Sequence, residues 1–432
     1  MSLQRKLLVI ALASVMPMAS VYAQSAADLQ KDIATLKAQL QALQQKVDAL
    51  TARTDSPVAA QQITRLEQKQ ELAEDGMEKA GLKGLKFKGV VEASYAFDTA
   101  SGAHRFAAHD GVGAGANAML ELTKETEDGE GVNWTLRLTP GGANLVQEAT
   151  VSVGIKPGTR AFGGLMPDFQ GYEGYFANQN LLFTHNALYD FAGPTSYTGL
   201  GLTHQLTKDL ALKWMVGNID SSYDSGLDTG GHPLKPSVGL AYRFDWTLSE
   251  YSALGLSGAH SKATRSFDVV AVDGNFTRGD WQMNGQVTLG QLKDGAYMGG
   301  DASWSGLSGL VGYKLTPRLQ LLARADYLEN RKNGGGTYAY NYLNNPLDVL
   351  ALGTTAGTGL GPELDSAGVI NDPSLGANLT RLSLGTNYLL NATTQWKTEI
   401  RFDQSSGYNF TDENRVPKRD KSSVGTSLVV SF

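Results

Sequence analysis

Leu85-Lys86-Phe87-Lys88-Gly89-Val90-Val91-Glu92-Ala93-Ser94-Tyr95-Ala96-Phe97 reads with a period of two. Every odd position is apolar or glycine, while the even positions carry Lys86, Lys88, Glu92 and Ser94. Successive side chains of a strand point to opposite faces, so this stretch is a strand with one greasy face and one wet face. It is longer than an ordinary globular strand and long enough to cross a bilayer at a tilt.

The pattern recurs to the end of the chain. Val132, Trp134, Leu136 and Leu138 alternate with Asn133, Thr135 and Arg137. Val238, Leu240, Tyr242, Phe244 and Trp246 alternate with Arg243 and Asp245; Trp396, Thr398, Ile400 and Phe402 alternate with Lys397, Glu399 and Arg401. Short turns such as Lys156-Pro157-Gly158-Thr159 and Arg278-Gly279-Asp280 alternate with long polar segments, among them 98–112, 164–195, 219–236, 328–378 and 404–421. Short connections at one end and long ones at the other predict a closed antiparallel barrel of about sixteen strands. Aromatics near strand ends (Tyr95, Phe97, Phe244, Trp246, Trp281, Tyr327, Tyr388, Phe402) fit interfacial girdles. The final strand, Val424 to Phe432, ends on an aromatic residue, which resembles the terminal signal of outer-membrane proteins.

Upstream, the period is different. Arg5 and Lys6, the apolar run Leu7 to Met16 and Val21-Tyr22-Ala23 have the form of a secretory signal over residues 1–23, cleaved near Ala23. Leu29, Ile33, Leu36, Leu40, Leu43, Val47 and Leu50 then step alternately by four and three, so 24–53 reads as a short periplasmic α-helical coiled coil. Residues 54–83 read as a linker, and 84–432 as the outer-membrane β-barrel. The fold class is therefore all-β, a transmembrane antiparallel β-barrel preceded by a coiled coil. A mean hydropathy of -0.23 is too polar for a bundle of membrane helices but suits a barrel, in which only alternate residues meet lipid.

Composition excludes several classes. Without Cys there is no disulfide, thiolate metal site or lipidated cysteine. A net charge of -6 argues against a nucleic-acid partner. The six histidines (His104, His109, His185, His204, His232, His260) lack close metal-ligand spacing, so no metal or other cofactor is expected. Gly334-Gly335-Gly336-Thr337 lacks the lysine of a phosphate loop.

Strand parity places Lys86, Lys88, Arg137, Arg160, Lys213, Arg243, Arg324, Arg381, Lys397 and Arg401 inside the barrel. Glu92, Glu121, Asp245, Asp268, Asp326, Glu399 and Asp403 join them. The slight basic excess suits anions, but mixed charge is also the ordinary state of a water-filled lumen. Leu165 to Gly193 is too apolar for a plain surface loop, with Phe169, Tyr172, Tyr175, Phe176, Phe183, Tyr189 and Phe191 beside Asp168, Glu173, His185 and Asp190. Either it folds into the bore as a constriction, offering aromatic faces to a sugar or aromatic acid, or it packs on the barrel wall or a neighbouring subunit.

Residues 160–217 resemble the beta-barrel porin-2 (OmpL-like) group of proteobacterial porins. The resemblance rests on Phe162-Gly163-Gly164, Gly171-Tyr172-Glu173-Gly174 and Asn180-Leu181-Leu182-Phe183. Pro194 to Gly199, Asp209-Leu210 and Val216-Gly217-Asn218 extend it. The order of signal, coiled coil and barrel is also similar to that of phosphate-selective and sugar porins, although no arginine ladder of the phosphate type is present. The resemblance implies an outer-membrane porin passing small hydrophilic solutes, embedded in outer-membrane lipid and assembled as a homo-oligomer, in the first place a trimer. Two other functions are weighed. One is a barrel lipase or protease, for which Ser222 with His232 is a chance-level pairing; the other is an adhesin or envelope tether using the coiled coil. Deleting Tyr172 to Asn186 should raise single-channel conductance; an unchanged value would place the loop outside the pore.

Overall fold

The computed structural model describes residues 84–432 apart from 101, 103, 107–117, 127–130, 141–144, 220–237, 263–265, 298 and 338–357. The signal, coiled-coil and linker segments, and the Ser222–His232 pair, lie outside the described residues.

Sixteen antiparallel strands close into one barrel. They are β1 (Leu85–Asp98), β2 (described as His104–Phe106 and Ala118–Lys124), β3 (Val132–Leu138), β4 (Val146–Lys156), β5 (Thr159–Pro167) and β6 (Ser196–Gln205). β7 (Leu210–Asn218), β8 (Val238–Ser249), β9 (Ser252–Lys262), β10 (Ser266–Arg278) and β11 (Trp281–Leu292) follow. β12 (Ala302–Lys314), β13 (Leu319–Glu329), β14 (Leu379–Asn391), β15 (Thr394–Ser405) and β16 (Asp420–Ser431) complete the wall.

Each strand pairs with its sequence neighbours, and β1 pairs with β16 from Val90↔Ser431 to Asp98↔Ser423. At the seam the Gly89 and Phe432 backbones exchange hydrogen bonds of 2.8 and 3.0 Å, and the terminal ring lies 6.1 Å from that of Phe87. Among the described residues every strand of the wall has a neighbour on both sides, which is the condition for strands to sit in hydrocarbon. The connections 157–158, 206–209, 250–251, 279–280, 315–318 and 392–393 lie at one end, and the long loops at the other, as the turn chemistry implies.

Register carries the in/out alternation around the wall. Lys213↔Arg243, Asp273↔Gln286, Ser308↔Asp326, Asp326↔Arg381 and Arg381↔Asp403 are directly opposed and share the inner face. The outer face exposes Val151, Leu200, Val272, Val287, Leu307 and Leu384. Trp246, Trp281, Tyr313, Trp396 and Phe432 ring the turn end, with Trp281 and Tyr313 in contact at 4.7 Å.

One parity assignment is corrected. Asp268 is opposed to His260 and points outward with it, both about half exposed. Its strand turns Phe267, Val269 and Ala271 inward instead. The cause is an apolar core inside the loop end of the barrel. Phe191, Leu188, Tyr197, Phe267, Leu292, Trp304, Leu328, Leu379 and Phe410 pack there with Leu360. Where the bore is filled by protein instead of water, its wall becomes apolar and the binary pattern inverts.

A charge at mid-height should therefore discriminate the two faces. Val287→Arg, on the outer face, should cost about 2–4 kcal/mol, whereas Asn275→Lys, exposed on the inner face, should cost little. Denaturant titration in lipid vesicles reads both; equal effects would contradict the assigned faces.

Candidate functional site

The connection between β5 and β6, residues 168–195, does not extend outward from the loop end but lies inside the barrel. β5 continues to Pro167, so the segment begins slightly later than the sequence suggests. Three kinds of contact hold it.

The first is electrostatic. Arg324 on β13 has a fully buried side chain and pairs with Glu173 of the loop at 2.9 Å. It also donates to the carbonyls of Thr184 (2.7 Å) and His185 (2.8 Å). Arg381 on β14 pairs with Asp190 of the loop at 2.7 Å and with Asp403 on β15 at 3.0 Å, and donates to the same His185 carbonyl. Glu399 on β15 accepts from the amide and hydroxyl of Thr184, both at 2.7 Å, and Asp326 accepts from the Ala187 amide at 3.1 Å. Lys397 caps the carbonyls of Ala177 and Asn180. Arg401 pairs with Asp403 at 3.2 Å. Irregular backbone can be buried only if its polar groups find partners, and the wall supplies them with ionised ones, the stronger kind.

The second is steric. Inward-facing Gly306, Gly385 and Gly425 seat Leu188, Leu182 and Phe183 of the loop. A Cβ at Gly306 would stand 2.1 Å from Leu188, and one at Gly425 would stand 2.1 Å from Phe183. A side chain at either position would displace these loop residues from the wall.

The third is local. Asn186 accepts from the Tyr189 amide at 2.8 Å and caps the short helix α1 (Ala187–Phe191). His185 stacks on Tyr189 at 4.0 Å. Tyr172 is fixed by a 2.6 Å bond between its hydroxyl and that of Ser308, and burial holds its phenol well above the usual range. Burial likewise pushes the Asp168 carboxyl up to about 7, against the pull of the Gln170 amide.

The residues singled out from sequence thus fall into two sets. Arg324, Asp326, Arg381, Lys397 and Arg401 point inward as expected but are buried; Arg324, Asp326, Arg381 and Lys397 bond loop atoms directly. Glu92 is buried on the inner face of β1. Lys86, Lys88, Arg137, Arg160, Lys213 and Arg243 form the second set.

Lys86 pairs with Glu125, and Lys88 lies 3.3 Å from Glu121. Arg137 pairs with Glu121 and Glu148 at 2.5 and 2.8 Å, with its guanidinium 5.3 Å from the Phe176 ring of the loop. Arg160 donates to the Gly131 and Ser152 carbonyls. Lys213 sits 4.2 Å from the Phe169 ring centre, and Arg243 pairs with Asp273 at 2.7 Å. A cavity of about 310 Å³ remains between the loop and β8, β10, β11 and β12.

Sequence reasoning missed the glycine seats and this cavity. The seats leave a trace, since Gly385 and Gly425 occupy inward positions otherwise held by polar residues such as Arg381, Ser383, Ser423 and Ser427. Among the described residues no cluster of His, Asp or Glu could hold a metal ion.

Comparison with solved structures finds the same architecture. The anion-selective porin from Comamonas acidovorans superposes with a TM-score of 0.55 at 11% identity, covering 81% of this chain and 99% of that one. OmpT of Vibrio cholerae, expressed in the outer membrane, gives 0.52 at 11% identity, with 81% and 97% covered. At such identities the likeness is one of fold. No curated protein matches the sequence. The model of the family described as "Putative beta-barrel porin-2, OmpL-like" matches residues 85–432, the whole barrel. The chain belongs to that family, and it is an outer-membrane porin.

Proposed function

We propose that the protein passes small hydrophilic solutes by passive diffusion past a fixed constriction made by residues 168–195. The observation that carries this reading is the loop's attachment to the far wall by Arg324, Arg381, Lys397 and Glu399. A segment so held narrows the bore permanently and does not open as a lid. Breaking a buried ion pair costs about 3–5 kcal/mol because the remaining charge is stranded, so the loop's displaced state is strongly disfavoured.

On this reading Asp168, Tyr172 and Glu173 belong to the constriction itself. Arg324, Asp326, Arg381 and Lys397 hold it in place, Arg401 supports them through Asp403, and Glu92 is buried nearby. The water-facing wall is formed by Lys86, Lys88, Arg137, Arg160, Lys213 and Arg243, each close to a carboxylate, a ring or a carbonyl. Such compensation favours weak over strong ion preference.

The long loops would face outward and the short turns the periplasm. Residues 1–23 would be removed near Ala23 on export, and the protein would work as a homo-oligomer, in the first place a trimer, as the resemblance noted above implies.

Reconstitution into planar bilayers tests the central reading, with discrete, ohmic conductance steps expected; a barrel that inserts and gives none would overturn it. Arg324→Met should leave Glu173, Asp326 and Glu399 uncompensated and free the loop. Chymotrypsin should then cut near Phe176 or Tyr189, which the native barrel protects, and open-channel noise should rise severalfold. Unaltered protection and noise would show that the clamp does not hold the loop.

A further inference from the structure

The cavity beside the loop has a composition unlike the rest of the lumen. Its charges are spent on one another. Arg243 meets both oxygens of Asp273, at 2.7 and 2.9 Å, and donates to Asp245 and to the Phe169 carbonyl. Glu173 is taken by Arg324 at 2.9 Å and by the Asn186 amide at 2.6 Å. What faces the space uncommitted is uncharged. Asn275 and Asn284 are cross-strand partners, and their side chains, with that of Thr277, make no hydrogen bond to any described residue. Gln282 accepts one bond from Gln320 at 3.3 Å, which leaves its amide protons free. Opposite them the Tyr172 ring, immobilised through Ser308, and Leu181 present apolar surface from the loop.

We infer that this cavity is a subsite for a neutral, hydroxyl-rich solute, a saccharide of one or two rings. The inference rests on the porin reading and names the solute class for the same constriction.

Each carboxamide offers two donors and two acceptor lone pairs, a set that matches hydroxyls, which donate and accept at once. Each charged side chain of the lining already has a partner, so a simple ion would exchange its hydration mainly for weak dipoles. A sugar ring also has apolar C–H faces, which the phenol ring and leucine can cover while the rim hydroxyls meet Asn275, Thr277 and Asn284. About 310 Å³ is on the order of ten water volumes, a size that suits one or two sugar rings. Because the two asparagines are opposed on adjacent strands, the spacing of their backbones is set before the solute arrives.

The test is block of open-channel current by maltose in planar bilayers, with polyethylene glycol of matched hydrodynamic size as a probe of simple exclusion. Maltose should block the native channel at least tenfold more strongly than the polymer. Asn275→Leu with Asn284→Leu should reduce maltose block about tenfold while the sugar-free conductance changes less than twofold. If that pair fails to assemble, Thr277→Val with Asn284→Ser should weaken block in the same direction. Equal block by sugar and polymer, block that survives either pair, or stronger block by glucose phosphate than by maltose would each overturn the subsite. A native protein without conductance steps before any sugar is added would instead remove the porin reading beneath it.

Discussion

Closure of the sheet is the constraint on which everything else depends. In hydrocarbon an unpaired backbone amide or carbonyl costs several kcal/mol, so a membrane sheet is stable only when its last strand meets its first. The β1–β16 pairing, finished by the Gly89–Phe432 exchange, meets that condition. Once it is met, each residue of the wall has one of two environments, lipid or bore. The alternation of Lys86 with Phe87, or of Arg401 with Phe402, follows from which it occupies.

A closed cylinder of sixteen strands is wider than its own side chains can fill. The space is divided between water and the segment between β5 and β6. Burying that segment desolvates a run of irregular backbone, and the wall answers with arginine, lysine and carboxylate side chains aimed at particular carbonyls and amides. Arg324 on β13 and Glu399 on β15 converge on Thr184, and Arg381 secures Asp190 in α1. These groups are costly to bury and are tolerated because each has a partner; removing one strands the others. The position of the loop is therefore decided across the barrel from its own attachment.

Inside, the lumen varies with depth and side. Near the loop end it is a packed apolar core around Trp304 and Phe410, linked through the Trp304 indole to the Ala192 carbonyl at 3.0 Å. Beside β1 to β7 it is a half-exposed wall of paired charges. Between the loop and β10 and β11 it is amide-rich. A single cylinder thus offers solutes different chemistries along different flanks, and the composition of each flank reflects what the loop leaves uncovered.

The sequence by itself determined the barrel, its size of about sixteen strands, the sidedness of its connections and the inner face of most strands. These follow from a period of two and from turn residues, which are local properties. It also marked residues 165–193 as anomalous, because so many aromatics in a loop require burial somewhere. Where they are buried, and against what, only the tertiary structure decided. Contacts such as Glu173 with Arg324 or Thr184 with Glu399 join residues far apart in the chain, and no local pattern encodes them. For the same reason parity failed at Asp268: alternation reports that two faces differ, but which face is inner depends on whether water or folded protein fills the bore at that height.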